Sequence, residues 1–230
     1  MGKNKIIYSF LLLLSVLCCF SLVVEELKNV LGFWLDLGID GVRMDAISHL
    51  IEDDQLLDEP KSGNPEAADE LDWKYLEHVY TNDQNLTRTI VQELTMFVKD
   101  NYGPQKFIVL ETDLDVPAVM EYYDCGDIPF NFNLGRHITD ENVSAGKILN
   151  EVNLWMNNMP SGEVANWVTG SHDIKRIASR VSEKFIDHMN MLLLMLPGNI
   201  KQINDMYPYH NIILSTVVVK MFRSQCDLPR

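Results

Sequence analysis

Gly41-Val42-Arg43-Met44-Asp45 is a short apolar run that ends in a carboxylate, and the same pattern occurs twice more along the chain. Phe107-Ile108-Val109-Leu110 leads into Glu111, and Asn166-Trp167-Val168-Thr169 is followed four residues later by Asp173. Apolar runs of this length predict buried strands. An acid beyond the carboxyl end of a buried strand is where a (β/α)8 barrel places its chemistry, because the strand fixes the residue while the following loop leaves it accessible.

Helical and strand-like segments alternate along the chain. The predicted helices cover residues 24–37, 87–101, 114–123, 145–159, 174–181 and 184–196. The predicted strands cover residues 41–45, 107–110, 128–134 and 166–169. This order is typical of βαβ units with right-handed crossovers around a parallel sheet. The fold class is therefore α/β, and we expect one domain at most.

The composition indicates a folded and strongly acidic protein. The chain has 230 residues, of which 47% are hydrophobic, enough to bury a core. The formal net charge of −14 comes from 33 acidic against 19 basic residues. Nucleic acids and anionic membrane surfaces need clustered Lys and Arg, so we expect no nucleic-acid partner. A neutral sugar carries no such requirement.

The amino terminus resembles a targeting segment. Lys3 and Lys5 precede an almost unbroken apolar run of about 19 residues from Ile6 to Val24, as in a secretory signal. An uncleaved membrane anchor of this length also fits, so cleavage is favoured and the anchor stays as the alternative. We expect a secreted protein or one on the extracellular face of the plasma membrane, with membrane contact only if the segment is uncleaved.

Two sequons agree with that compartment. Asn85-Leu86-Thr87 and Asn142-Val143-Ser144 are acceptor sequences for N-glycosylation. Cys125 and Cys226 lie outside the targeting segment, and an oxidising compartment permits a disulfide between them, although sequence leaves the pairing open.

No metal site is predicted. The chain has no CxxC motif and no His/Cys cluster at zinc spacing. The pairs Asp53-Asp54 and Asp58-Glu59 have the composition of cation ligands, but a solvated acidic loop is the better interpretation.

Three ordered motifs and the segments between them carry a resemblance to a known family. The motifs are Gly41-Val42-Arg43-Met44-Asp45-Ala46, Val109-Leu110-Glu111-Thr112, and Asn166-Trp167-Val168-Thr169-Gly170-Ser171-His172-Asp173 with Arg176 and Arg180. The segments are Leu57-Asp58-Glu59-Pro60, His78-Val79-Tyr80-Thr81-Asn82-Asp83-Gln84, Ile128-Pro129-Phe130-Asn131-Phe132 and Leu192-Leu193-Leu194-Met195-Leu196-Pro197-Gly198. In this order they resemble the α-glucosidases of glycoside hydrolase family 13, especially the insect maltase type.

The resemblance implies a retaining hydrolase that releases terminal α-1,4-linked glucose from maltose, sucrose or short oligosaccharides. Asp45 is implied to be the nucleophile, and Glu111 the general acid that later acts as base. Asp173 and His172 are implied to hold sugar hydroxyls. Such a Glu111 needs a raised pKa, produced by a dry environment, to be protonated near neutral pH.

Two arginines complete the candidate binding residues. Arg43 precedes Asp45 by two residues, on the same face of the strand, and is expected to keep that acid ionised. Arg176 is implied by the resemblance to contact substrate. No cofactor is expected; the family allows calcium, but no residue pattern here supports it.

Structural roles compete with these assignments. An Asp after an apolar strand is more often a helix cap than a nucleophile, and only Arg43 and the family context favour catalysis for Asp45. Thr112 or Asp113 can cap the next helix, so capping does not account for Glu111. His172 is as readily a structural histidine as a ligand.

The resemblance runs from about residue 30 to residue 199 and implies an incomplete (β/α)8 TIM barrel, roughly strands 4 to 7 with their helices. The expected domains are a signal peptide or anchor at 1–24, a partial catalytic domain at 25–199 and a divergent tail at 200–230. Ser171 stands where the family usually has Asn.

From the incomplete barrel and this substitution we expect little or no hydrolysis by this polypeptide alone. The alternative is a non-enzymatic, membrane-anchored ectodomain like the heavy subunits of amino-acid transporters.

Overall fold

The structure, a computed structural model, describes residues 21–67, 69–171, 173 and 176–201. A first helix, α1, covers residues 21–36. It is followed by β1 (Gly41–Met44), a long loop, α2 (Asn85–Tyr102) and β2 (Phe107–Leu110). Then come α3 (Val116–Met120), β3 (Ile128–Pro129), α4 (Asn133–His137), α5 (Ala145–Asn158), β4 (Asn166–Val168), α6 (Glu183–Met195) and β5 (Asn199–Lys201). Strands and helices alternate, as the sequence predicts.

The strands form a parallel arrangement in two joined parts. β1, β2 and β3 lie side by side in that order, and β4 pairs with β5. A single parallel bridge between Asn131 and Trp167 connects the two parts. The Asn131 N–H donates to the Asn166 oxygen at 2.9 Å, and the Val168 N–H donates to the Asn131 oxygen at 3.0 Å. All five carboxyl ends therefore point toward the same edge.

The two faces of the sheet have different neighbours. Val42, Ile108 and Leu110 face the helices and pack with Val91 and Val98 of α2 in one buried cluster. The opposite face carries a smaller cluster, which consists of Val109, Phe130, Phe132 and Val168. Side chains alternate between faces along a strand, so Arg43 lies on the second face with Val109. That second face corresponds to the interior of a barrel.

A second large cluster joins the later elements. Trp155 of α5 and Trp167 of β4 are both almost fully buried there, together with Met189 and Leu193 of α6. The hydrophobic stripe of α6 thus packs on the strand that precedes it, as expected for a βα unit.

Three predicted elements are shorter or different in the structure. The strand predicted over 128–134 is paired at Ile128–Pro129 and at Asn131 only, because the chain turns into α4 at Asn133. The helix predicted over 114–123 is five residues of α3 followed by a 3-10 turn, Glu121–Asp124. The helix predicted over 174–181 is a 3-10 turn at Ile177–Ser179, with residues 174 and 175 outside the described part.

The structure near both ends of the described chain can be compared with the domain boundaries predicted at residues 24 and 200. Val24, assigned from sequence to the end of the targeting segment, is buried against Ile90 and Leu94. β5 spans the expected start of the divergent tail and adds a strand that the sequence did not predict. In the described ranges no helix is both long and apolar enough to traverse a bilayer. Residues 1–20, which carry most of the targeting prediction, lie outside those ranges.

Candidate active site

β1 and β2 bring Asp45 and Glu111 to the same height at the edge of the sheet. Met44 and Leu110 are paired in register, so the next residue of each strand is one of the two acids. The Glu111 N–H donates to the Met44 oxygen at 2.9 Å, and the Ile47 N–H donates to the Glu111 oxygen at 3.0 Å. Backbone hydrogen bonds therefore join Glu111 to the strand and the turn on either side of Asp45.

Arg43 connects the two carboxylates. Its Nη2 atom lies 2.6 Å from Asp45 Oδ1 and 2.5 Å from Glu111 Oε2. Since both oxygens contact one nitrogen, they can lie no further apart than the total of those distances, about 5.1 Å. The Arg43 side chain is only 7% exposed, and its guanidinium carbon lies 5.5 Å from the centre of the Phe130 ring. A buried cation thus holds both acids in one place, as the sequence predicts for Asp45.

The turn after the first acid is an uncommon one. Ala46 has φ 43° and ψ 42°, the left-handed region that residues other than glycine seldom adopt. In that conformation the Ala46 N–H donates to Glu111 Oε2 at 3.0 Å. A strained backbone at this position therefore supplies Glu111 with a second donor besides Arg43, and such strain concentrates at functional sites.

The pKa of Glu111 is lowered, which corrects the prediction of a raised value. Burial is the largest influence on this pKa and by itself would raise it. The hydrogen bond from Ala46 and the contacts with Asp45 and Arg43 together outweigh burial. A dry environment alone predicts the wrong direction, because Arg43, assigned from sequence to Asp45 only, also contacts Glu111.

The two acids differ in exposure. The Asp45 side chain is 69% exposed, whereas that of Glu111 is 13% exposed. An accessible carboxylate beside a mostly buried one is an arrangement in which one acid can reach a ligand atom while the other exchanges a proton with it.

The third acid, Asp173, lies beyond the carboxyl end of β4, at the same edge of the sheet. It is exposed, and its N–H donates to Ser171 Oγ at 3.1 Å. Arg176 is also exposed and immediately precedes the 3-10 turn. His172 lies outside the described residues. The structure therefore brings Asp45, Glu111 and Arg43 together and places Asp173 and Arg176 on the neighbouring loop.

Arg180 has a structural role in that loop. Its guanidinium donates to the backbone oxygens of Ile138 at 3.1 Å and Thr169 at 2.5 Å. These bonds anchor the segment that carries Asp173 to the end of β4.

Several polar groups at this edge were not predicted from the sequence. Among the buried polar atoms without a hydrogen-bond partner in the described part of the chain are Thr112 Oγ1, Asn131 Nδ2 and Asn133 Nδ2, together with Nε of the already predicted Arg43. Phe130, which lies against Arg43, was also not singled out. The available signal was position alone, because Thr112, Phe130, Asn131 and Asn133 all lie within four residues of the end of β2 or β3. Buried donors of this kind suit a ligand with many hydroxyl groups.

The predicted glycosylation sites are both at the surface. Asn85 is the first residue of α2 and its Oδ1 accepts a hydrogen bond from Arg88, while Asn142 lies in the loop before α5. Both residues are exposed, and glycosylation stays a prediction.

The described residues contain no group of three or more His, Cys, Asp or Glu side chains that could hold a metal ion. Cys125 is buried as a free thiol, and burial raises its pKa to about 11. Its suggested partner, Cys226, is outside the described residues.

Comparison with known proteins identifies the family of the chain. The family described as alpha amylase, catalytic domain, matches residues 21–202. Maltase 1 of Drosophila virilis is 37% identical over 186 residues, which are 76% of this chain and 29% of that protein. An alpha-glucosidase of Apis mellifera is 38% identical over 178 residues, 76% of this chain and 30% of that protein.

A relative of another kind is the amino acid transporter heavy chain SLC3A1 of Rattus norvegicus, at 32% identity over 187 residues, 76% of this chain and 27% of that one. Among solved structures, the alpha-glucosyl transfer enzyme XgtA superimposes with a TM-score of 0.65 at 23% identity, covering 78% of this chain and 35% of that one. The chain spans about a third of the length of the curated relatives it matches. The chain belongs to the alpha-amylase family of catalytic domains, whose fold is the (β/α)8 barrel.

Proposed function

We propose that the protein hydrolyses α-glucosides with retention of configuration at the anomeric carbon. The observation that carries this proposal is the separation of Asp45 and Glu111, whose nearest oxygens lie within about 5.1 Å of each other across Arg43. Retaining glycosidases hold their two carboxyl groups about 5 to 5.5 Å apart, whereas inverting enzymes need room for a water molecule. The pair also lies at the edge of the sheet where barrel enzymes carry out chemistry.

Asp45 is the proposed nucleophile. Its exposed carboxylate attacks the anomeric carbon of the terminal glucose and forms a glycosyl ester as the bond to the leaving oxygen breaks. Arg43, 2.6 Å from Asp45, holds the attacking carboxylate in position.

Glu111 is the proposed acid and base. It donates a proton to the leaving oxygen in the first step and removes a proton from the attacking water in the second. Without a ligand its pKa is lowered, so it must gain a proton as substrate binds. A bound sugar expels water from the site, and that desolvation moves the pKa of a carboxyl group upward.

Asp173, His172 and Arg176 are proposed to bind the glucose ring that reacts. Asp173 follows β4, two positions along the barrel from the acid pair, and its carboxylate suits hydrogen bonds from two adjacent hydroxyl groups. The buried donors Asn131 Nδ2 and Asn133 Nδ2 lie on the intervening segment.

The substrate class follows from the relatives as well as from the site. Proteins named maltase and alpha-glucosidase match most of this chain, which supports maltose, sucrose and short α-1,4-linked oligosaccharides as substrates. The proposed chemistry uses two carboxyl groups and water, so it requires no cofactor.

The test is hydrolysis of 4-nitrophenyl α-glucoside and maltose by the full chain; turnover would support the proposal and would overturn the sequence-based expectation of little or no hydrolysis by this polypeptide alone. We expect Asp45→Asn to lower kcat by at least about a thousandfold, since the nucleophile is lost. Asp54→Asn, in the exposed loop nearby, is the matched control and is expected to keep full activity. The first glucose released should be the α anomer by NMR. Release of the β anomer first, or an Asp45→Asn variant as active as the parent, would contradict the proposal.

The rat transporter heavy chain is the observation that favours a second candidate, a non-enzymatic ectodomain. The contact of Arg43 with both Asp45 and Glu111 weighs against the non-enzymatic candidate, because an interaction protein has no need for that arrangement. A folded chain that binds no α-glucoside and hydrolyses none would favour this candidate.

We also propose that the protein enters the secretory pathway. The support is the basic and apolar amino-terminal segment together with the exposed Asn85 and Asn142. Expression in a secreting eukaryotic cell should yield a product whose mass falls on enzymatic removal of N-glycans. The double variant Asn85→Gln, Asn142→Gln should show no such fall; secretion of an unmodified parent chain would reject glycosylation.

A further inference from the structure

A loop segment just before α2 is hydrogen-bonded to the turn that follows the proposed nucleophile. The Asp83 N–H donates to the Ser48 oxygen at 2.8 Å, and His49 Nδ1 donates to the Thr81 oxygen at 3.1 Å. Ser48 is buried, so the contact with Asp83 lies away from water. The segment therefore holds the part of the chain that comes directly after Asp45, although the proposed mechanism assigns it no role.

That turn contains a backbone conformation that its surroundings must impose. Ala46 is in the left-handed region, which is unfavourable for a residue with a Cβ and persists only when neighbouring contacts determine it. The neighbouring contacts are the bond from the Ile47 N–H to the Glu111 oxygen and the bond from the Asp83 N–H to the Ser48 oxygen. Since the Ala46 N–H donates to Glu111 Oε2, the bond from Asp83 helps to hold that donor in place.

Asp83 is itself fixed by its side chain. Its Oδ1 atom accepts hydrogen bonds from the Tyr122 hydroxyl at 2.8 Å and from Arg88 Nη1 at 2.7 Å. Tyr122 is fully buried, and burial together with the nearby Asp83 raises the pKa of its hydroxyl, which therefore stays protonated and donates. The backbone of Asp83 has φ 52°, a left-handed conformation that Asp and Asn tolerate better than most residues. The side-chain bonds thus hold Asp83 in the conformation that directs its N–H to Ser48.

A role confined to the start of α2 does not account for these contacts. Asp83 lies two residues before the first residue of α2, and the intervening Gln84 makes no capping bond with its side chain. An acid at that position stabilises the helix end through its charge alone. Such a role requires neither Tyr122, which belongs to the 3-10 turn after α3, nor the bond to Ser48.

We propose that Asp83 is a positioning residue, which holds the turn after the nucleophile so that the Ala46 N–H stays bonded to Glu111. The inference rests on the proposed function, because that function assigns Asp45 and Glu111 their roles. Asp83 acts through the backbone of the turn and not by contact with a substrate. If its anchor is lost, the turn relaxes and the acid pair moves, and a displacement of about 1 Å can cost roughly a hundredfold in rate. Glu111 also loses a hydrogen bond that favours its ionised form, so its pKa rises.

The test compares Asp83→Ala with Asp83→Asn in the full chain. Asp83→Ala removes the acceptor of Tyr122 and Arg88, so we expect kcat for 4-nitrophenyl α-glucoside to fall roughly tenfold to a hundredfold with little change in KM. Carbon-13 NMR titration should show a higher pKa for Glu111. Asp83→Asn keeps an oxygen that accepts both hydrogen bonds and tolerates the left-handed backbone, so it should recover most of the rate and the parent pKa of Glu111.

Asp127→Ala is the matched control. Asp127 Oδ2 likewise contacts one cation and accepts from one backbone N–H, with Lys99 Nζ at 2.9 Å and the Ile108 N–H at 2.7 Å. These contacts lie at the amino end of β2, opposite to Glu111. The variant should therefore lower the free energy of unfolding while kcat and the pKa of Glu111 stay at their parent values.

Tyr122→Phe tests the same link with a smaller change, because it removes one of the two hydrogen bonds to Asp83. It should move kcat and the pKa of Glu111 in the same directions as Asp83→Ala, and by less. If Asp83→Ala does not fold, parent values of both quantities in Tyr122→Phe would overturn the proposal.

The remaining outcomes separate the two proposals. A folded Asp83→Ala chain with the parent kcat and the parent pKa of Glu111 would overturn the positioning role, as would equal changes in Asp127→Ala, while hydrolysis by the parent chain still supported the function. A parent chain that hydrolyses nothing, together with a raised pKa of Glu111 in Asp83→Ala, would keep the link between Asp83 and Glu111 and reject the hydrolase.

Discussion

Arg43 is the residue on which the electrostatics of the site depend, because one nitrogen serves both Asp45 and Glu111. Burial pushes the pKa of Glu111 up and the arginine, with Ala46, pushes it down. Arg43→Met removes the cation and keeps the volume, so we expect the pKa of Glu111 to rise above that of the parent chain. Carbon-13 NMR titration of the Glu111 carboxyl group measures this directly.

Arg136→Met is the matched control, since Arg136 pairs with Asp113, two residues beyond Glu111. That variant should leave the Glu111 midpoint where it is. A Glu111 midpoint in Arg43→Met that equals or lies below the parent value would show that the arginine does not determine this pKa.

The same residues show how much of the site was predictable from sequence. The alternation of side chains along a strand placed Arg43 on the face of Asp45, and the structure confirms their contact. The direction of the Glu111 pKa was predicted wrongly because cross-strand contacts and the Ala46 turn depend on register between β1 and β2. The Ala46 N–H donates to Glu111, but every residue except proline has a backbone N–H, so the residue type at position 46 does not reveal this hydrogen bond.

Among the elements, β5 depends on the backbone of Gly198. Gly198 has φ 129°, and an added Cβ would lie 2.3 Å from the Ala165 oxygen. The neighbouring Pro197 oxygen accepts a hydrogen bond from Trp167 Nε1 at 2.8 Å, which joins the turn to β4. Gly198→Ala should therefore lower the free energy of unfolding by about 2 to 3 kcal/mol, measured by urea denaturation.

Gly146 in α5 provides the matched control. A Cβ added at Gly146 would have no neighbouring atom within 4 Å, so alanine fits there and should raise the free energy of unfolding by about 0.5 to 1 kcal/mol. Equal stability of the two alanine variants would contradict the role assigned to the turn at Gly198.

Long elements were predictable and short ones were not. α2 and α5 follow from their helical spacing of apolar residues, and the Ser144 side chain caps α5 by accepting from the Lys147 N–H at 3.1 Å. β3 and β5 contain two and three residues, too few for a periodic signal, and only pairing with β2 and β4 makes them strands. Tertiary contacts, and not the local sequence pattern, therefore determine that these two short segments are strands.

For the whole molecule, the lowered pKa values predict acid sensitivity. Burial would raise the pKa values of Glu59, Glu111 and Glu151, but hydrogen bonds lower all three below the ordinary value of 4.5, helped by nearby cations at Glu111 and Glu151. A lowered pKa means that the folded state binds the proton less tightly than the unfolded state. The resulting stability is present above pH 4.5 and is lost as the pH falls through the folded pKa values.

Urea denaturation at about pH 7 and about pH 3.5 tests this, and the midpoint should be lower in the more acidic buffer. Glu151→Gln, which removes the buried acid paired with Lys147 and His137, should cost about 1 to 3 kcal/mol at neutral pH and reduce the difference between the two conditions. Glu141→Gln, at an exposed loop position, is the control. A midpoint that is independent of pH would contradict the prediction.

The most direct test of the central claim is to trap the covalent intermediate on Asp45. In Glu111→Gln, α-glucosyl fluoride should still react, because fluoride leaves without a proton from an acid, while the missing base slows hydrolysis of the ester. Mass spectrometry of proteolytic peptides should then find one added glucosyl group on the peptide that contains Asp45, and none when Asp45→Asn is combined with Glu111→Gln. A glucosyl group on another residue, or none on the Glu111→Gln chain, would contradict the pairing of Asp45 and Glu111 as nucleophile and acid.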